Sequence, residues 1–216
     1  MPKDTFKQLP EEKAQRILDS AAALFAERGF SRTDVAEIAA RAGVAKGSIY
    51  NYFESKDDLF LYVCRDGLAR WRLAVYGEID KSWDVFRQVD HMFEKGAAFA
   101  KGHPQYIRLY LNVTSSGMES YAEELTPESE GHFALYFRSL LERGIKDGIV
   151  RPDLDVPLTA FLINSLYLMF LLSLVSRHFQ IRIKEYLGLK GPLADKADEV
   201  SRRVVDLIRT LLKPNS

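Results

Sequence analysis

The chain predicts an all-α protein: an amino-terminal three-helix unit containing a helix-turn-helix, then a larger helical domain, about nine helices altogether. Three observations carry this prediction. Apolar residues recur three and four positions apart along most of the 216 residues, and no run alternates as a half-buried strand would. Pro10, Pro104, Pro127 and Pro157 fall where helices would begin, and Gly29, Gly43, Gly102, Gly117, Gly148 and Gly188 fall at or past their ends. In Thr33 to Lys56, TDVAEIAARAGVAKGSIYNYFESK, a short amphipathic segment, a glycine turn and a second short segment follow one another almost without a spacer.

The opening Met1–Gln8 is polar and lacks an apolar h-region, so no secretory signal is expected. Pro10 suits a first helical turn, where the amide hydrogen it lacks would be unpaired anyway. Ile17, Ala21, Leu24 and Phe25 form the stripe of that helix, and Gly29 closes it. The next helix begins at Thr33 or Asp34; from Asp34, Glu37 takes the third helical position of a capping box. Val35, Ile38, Ala39 and Ala42 are its apolar side, and Gly43 supplies the left-handed residue that ends it. A second short helix follows from about Ala45, with Ile49 and Phe53 turned inward. Ser55 caps a fourth helix that runs to about Tyr76, with Asp58 where a capping-box acid would sit. Beyond it the pattern predicts helices over roughly 83–101, 104–115, 126–147, 157–186 and 194–212.

The outer side of the second short helix carries Lys46, Gly47, Ser48, Tyr50, Asn51 and Tyr52, without a carboxylate. Such a surface suits a DNA major groove, where phosphates repel acids and polar side chains pair with base edges. Lys46 is expected at a phosphate or a guanine edge, and Gly47 lets the backbone approach closely. Ser48 and Asn51 can bond base edges, asparagine pairing best with adenine. Tyr50 and Tyr52 offer hydroxyls to phosphates and ring faces to thymine methyls, with packing as the competing role. Lys56, aided by the dipole of the helix it opens, is expected to clamp a phosphate, and Thr33 to cap its helix and touch one.

The run from Gly29 to Leu59, with Ala42-Gly43-Val44, Lys46-Gly47, Tyr50, Tyr52-Phe53 and Ser55-Lys56, resembles the DNA-binding domain of the tetracycline-repressor (TetR) family. The motif-bearing part spans residues 11–60; the remainder matches that family in length and helical patterning. Two positions depart from the usual pattern: Asp34 stands where threonine is common, and Ala45 where a serine cap is common. The resemblance implies a DNA-binding domain over 1–56 and an effector-binding and dimerisation domain over 57–216. It also implies a cytoplasmic, ligand-responsive bacterial transcriptional regulator, most often a repressor, bound as a dimer to a near-palindromic double-stranded operator.

Composition constrains this further. The chain has 30 Lys and Arg against 30 Asp and Glu, and residues 1–56 hold nine against eight, so DNA binding must rest on a local field and on two copies. Seventeen of the 25 aromatic residues lie beyond residue 70, where most must fill a core. The resemblance places an inducer among those helices, with Tyr106, Tyr110, Phe137, Tyr167 and Phe170 as expected walls for a small hydrophobic or aromatic effector. The first half of the 157–186 helix is apolar around most of its circumference, and Ala197, Val200, Val204, Leu207, Ile208 and Leu211 share one side of the last helix. Two such helices per chain suit a four-helix dimer seam; the alternative is packing within one chain. Ala160–Ser176 is shorter than the roughly 20 apolar residues of a membrane span and is interrupted by Asn164, so a buried or interfacial helix is expected and no membrane.

Cys64 stands alone, which excludes an internal disulfide and fits a reducing cytoplasm. The four histidines are dispersed, and no nucleophile elbow, Gly-rich phosphate loop or zinc-ligand spacing occurs. No catalytic residue, metal or cofactor is therefore expected. The competing functions are an architectural DNA-binding protein without an effector and, least favoured, an enzyme.

Overall fold

A computed structural model describes residues 1–214, which contain eleven α-helices, one short 3-10 turn and no strand. The chain divides into two compact units, Met1–Arg70 with Gln105–Leu125, and Trp71–Pro104 with everything from Thr126 onward.

In the first unit, α2 (Glu11–Arg28) buries Ile17, Leu18, Ala21, Leu24 and Phe25, and Gly29 ends it at φ 76°. Helix α3 (Val35–Ala42) is capped by Asp34, whose carboxylate accepts from the Ala36 amide at 2.7 Å, and is closed by Gly43 at φ 69°. The capping box itself does not form, because Glu37 turns to Arg28 at 2.6 Å. Helix α4 (Lys46–Tyr52) follows after a short turn, and α5 (Lys56–Tyr76) starts after three intervening residues, with Ser55 accepting from the Asp58 amide at 3.1 Å. The unit extends beyond the expected boundary at residue 56. Phe60 of α5 is fully buried in edge-on contact with Phe25 (5.0 Å) and Phe30 (5.2 Å), and Tyr121 covers both Phe30 and Phe60. A short helix unanticipated from the sequence, α1 (Asp4–Lys7), packs Phe6 on Phe53 at 4.9 Å and on Tyr62 at 5.7 Å. Helix α7 (Pro104–Val113) also belongs here; the Asn112 amide donates to the Phe25 carbonyl at 2.8 Å.

In the second unit, α6 (Val85–Gly102) packs on α9 (Val156–Val175) and α11 (Ala197–Leu212), and α9 packs on α10 (Arg177–Leu187). Asp84 and Asp155 cap α6 and α9 through amides three residues on. Three expectations are corrected. Helix α8 (Glu119–Lys146) begins well before Pro127, which lies inside it. The helix expected over 157–186 is two, because Ser176 is extended at φ −108°, ψ 126°. The apolar residues of α11 split into a buried set, Val200, Val205, Ile208 and Leu212, and an outward pair, Leu207 and Leu211, each half exposed. By length and composition α9 could cross a bilayer, the one such helix among the described residues; 39% of its apolar window is buried. Leu158, Phe161, Leu162 and Met169 make up its exposed side.

Candidate nucleic-acid interface and buried aromatic cluster

Helix α4 is carried by Ile49, Tyr52 and Phe53, which share its inner side and are buried. Lys46, Gly47, Tyr50 and Asn51 point outward, and Ser48 is half exposed. Tyr50 also borders an open depression of about 390 Å³ whose rim includes Ser31, Arg32, Asp34 and Lys56. Lys46 lies 3.9 Å from Asp34, an exposed pair that water screens. The face is thus polar, aromatic and free of acids on the helix itself, as a groove-reading surface requires.

Three expected contact residues are placed elsewhere. Tyr52 is 8% exposed and sits edge-on to Phe6 at 5.9 Å. It lies three positions from Ile49, and that spacing turns it inward. Thr33 is buried, and its hydroxyl is directed at the carbonyls of Gly29 (2.8 Å) and Leu24 (3.2 Å), so it fastens the end of α2 rather than facing a phosphate. The Lys56 ammonium donates to the carbonyls of Phe30 (3.0 Å), Thr33 (3.2 Å) and Ser31 (3.5 Å) and lies 4.4 Å from the Phe30 ring centre. Its donors latch the turn before α3, so that of the expected contact residues Lys46, Gly47, Ser48, Tyr50 and Asn51 are the ones left accessible on the outer side of α4.

The five expected effector walls do not gather in one unit. Tyr106 and Tyr110 belong to α7 in the first unit. Tyr106 lies over Gly67, where an added Cβ would meet its ring at 2.3 Å, and its hydroxyl stands 3.3 Å from both Asp19 and Asp66. Phe137, Tyr167 and Phe170 are buried in the second unit. There Tyr167 and Phe170 flank Phe93 at 5.0 and 5.4 Å. Trp71 extends the group, with Tyr167 at 6.0 Å, Tyr76 at 5.3 Å and Phe133 at 5.1 Å. Tyr136 meets Tyr76 at 4.7 Å with the rings tilted by 53°, contacts Phe137 at 5.6 Å and donates to the Gln88 side-chain oxygen at 2.7 Å.

Two of these phenols are unusual. The hydroxyls of Tyr76 and Tyr167, and the Nε of Arg72, are enclosed without a hydrogen-bond partner among the described residues. Burial pushes both phenols well above their ordinary range. The Arg72 guanidinium opposes this at Tyr76; at Tyr167 the Trp71 indole opposes it without reaching bonding geometry. Both therefore stay protonated and can donate. Sequence periodicity ranked Tyr76 as a helix end, since an orphaned hydroxyl leaves no trace in spacing. Cys64 is half-buried and its thiol is pushed up to about 12 by burial, which makes it a poor nucleophile.

A fold of short amino-terminal helices presenting an acid-free reading helix, joined to a larger helical unit, defines a helix-turn-helix transcription factor. The family model of bacterial regulatory proteins, tetR family, matches residues 17–63. The HTH-type transcriptional repressor KstR2 of Mycobacterium tuberculosis is 31% identical over 147 residues, 66% of this chain and 71% of that protein. A TetR family transcriptional regulator from Chloroflexus aurantiacus superposes over 100% of both chains with a TM-score of 0.71 and 27% identity. The Bacillus subtilis regulator FadR, solved in complex with stearoyl-CoA, superposes over 88% of this chain and 97% of its own with a TM-score of 0.69 and 21% identity. The chain belongs to the tetR family of bacterial regulatory proteins; it is a DNA-binding transcriptional regulator.

Proposed function

We propose that the protein is an effector-responsive cytoplasmic repressor that binds a near-palindromic operator as a homodimer. Its effector is an apolar molecule bearing a hydrogen-bond acceptor, such as the carbonyl of a long acyl thioester, held in the aromatic cluster of the second unit. The observation that carries this reading is the set of orphaned donors at Tyr76, Tyr167 and Arg72 in and beside a mainly aromatic cluster. Each such group costs about 1–3 kcal/mol when left unsatisfied, a cost that an acceptor arriving with a ligand removes. The stearoyl-CoA held by the structurally similar FadR supports this ligand class. The outward apolar stripes of α9 and α11 support a second copy as their cover, since exposed patches of this kind mark interfaces. Two reading helices must then fall about 34 Å apart to enter successive major grooves, and the effector must prefer a different spacing to release them.

The test uses a Trp83→Phe protein, in which Trp71 is the remaining tryptophan and reports from within the cluster. Long-chain acyl-CoA is expected to change its emission saturably and to release operator DNA in a gel-shift assay. Tyr76→Phe and Tyr167→Phe should each weaken acyl-CoA binding about tenfold while leaving the ligand-free protein at least as heat-stable, because the orphan is removed with its partner never present. Unchanged affinity in both variants removes the acceptor reading; silence of Trp71 toward acyl-CoAs removes the ligand class.

A further inference from the structure

Helix α4 has seven residues, no side-chain cap at Ala45, no acid in its first turn and no base in its last. It also contains Gly47. Alone, such a segment falls far below the length at which helices persist in water. Inward packing of Ile49, Tyr52 and Phe53 holds one side, but it leaves the carboxyl end of the helix unexplained. A helix end presents four carbonyls without intrahelical partners. The Ile49 carbonyl accepts from the Phe53 amide at 2.8 Å. The next three are all met by one distant segment. The Tyr50 carbonyl accepts from Lys3 Nζ at 3.0 Å, the Asn51 carbonyl from Thr5 Oγ1 at 2.6 Å, and the Tyr52 carbonyl from the Lys3 amide at 2.8 Å. Phe6, one residue further, is 4% exposed beneath the same helix. The Lys3 ammonium additionally supplies the positive charge that the last turn lacks, opposite the negative pole of the helix.

We propose that Lys3 and Thr5 are positioning residues of the DNA-reading helix. They fix the pitch at which Tyr50 and Asn51 are presented and act through the backbone of those same residues rather than by touching DNA. This rests on α4 being the reading helix, so the experiment separates the two claims. The unaltered protein selects an operator from a randomised duplex library. Affinity for that operator and for an unrelated duplex is then measured across a salt series, with melting curves and circular dichroism to monitor folding.

Asn51→Ala tests the reading helix itself and should lose operator affinity; if it does not, the reading helix is misplaced. Thr5→Val should lose about fivefold per half-site, the effect of one hydrogen bond, and Thr5→Ser should restore it. Lys3→Met removes the ammonium alone. Lys3→Pro removes the ammonium and the amide hydrogen at a residue whose φ of −69° already suits proline, and should lose more. Affinity for the unrelated duplex and the salt slope should stay unchanged, because a side chain that meets no phosphate releases no counterion. A slope reduced by about one ion per site in Lys3→Met means direct phosphate contact and overturns the proposal. So does unchanged operator affinity in the Thr5→Val and Lys3→Pro proteins while Asn51→Ala is impaired.

Discussion

Gly47 and Gly96 are glycines for opposite reasons. A Cβ at Gly96 would meet the Tyr167 hydroxyl at 2.0 Å, so the fold itself forbids a larger residue there. A Cβ at Gly47 would meet nothing within 4 Å. Glycine costs a helix interior about 1 kcal/mol against alanine, and no neighbour within the protein requires it at Gly47, which fits the proposed close approach of this backbone to DNA. Gly47→Ala should therefore raise the melting temperature slightly and lower operator affinity, a pair of opposite signs checked by calorimetry and gel shift. Residues of this kind show which parts of the site were legible. Helical spacing indicated the outward side of Lys46, Gly47, Tyr50 and Asn51, but Tyr52, expected on that side too, is turned inward three residues from Ile49. Thr33 and Lys56 were not legible, because their partners at Leu24, Gly29 and Phe30 are fixed only by the tertiary fold.

At the level of elements, local chemistry marked most helix starts and stops: Asp34, Ser55 and the left-handed glycines act as the sequence indicates. Contacts between distant segments account for the rest. Helix α1 is four residues long and exists because Phe6 finds a buried seat, which no window around residues 4–7 reveals. Pro127 reads as a helix start, yet α8 runs from Glu119 through it. Proline cannot donate to the carbonyl four residues back, here that of Glu123, and its ring crowds that turn. Pro127→Ala is expected to raise the melting temperature by several degrees, the effect of restoring an interior helical bond, with an increase in helical circular dichroism. A fall in stability would mean that the Pro127 ring is itself part of the packing.

For the whole molecule, the sequence shows the first half of α9 to be apolar around most of its circumference and α11 to carry one apolar side, and the structure shows which residues are left over. Phe161 is 66% exposed and Leu211 51% exposed, on the helices expected to meet a second copy. A Phe161→Glu, Leu211→Glu protein should sediment as a monomer and lose at least about a hundredfold in operator affinity, since two linked half-sites bind far more tightly than one. Retention of the dimer by the double variant would assign those stripes to another partner.

Charge balance has one more consequence. Lys46 is the single cation on the reading helix, while the ammonium groups of Lys3 and Lys56 are engaged with backbone carbonyls. On the proposed reading helix Lys46 is then the one side chain placed to displace a counterion, and any wider electrostatic grip on arbitrary sequence has to come from flanking cations such as Arg32. The steepness with which ionic strength loosens unrelated duplexes would then belong to that flanking ring rather than to the helix it surrounds.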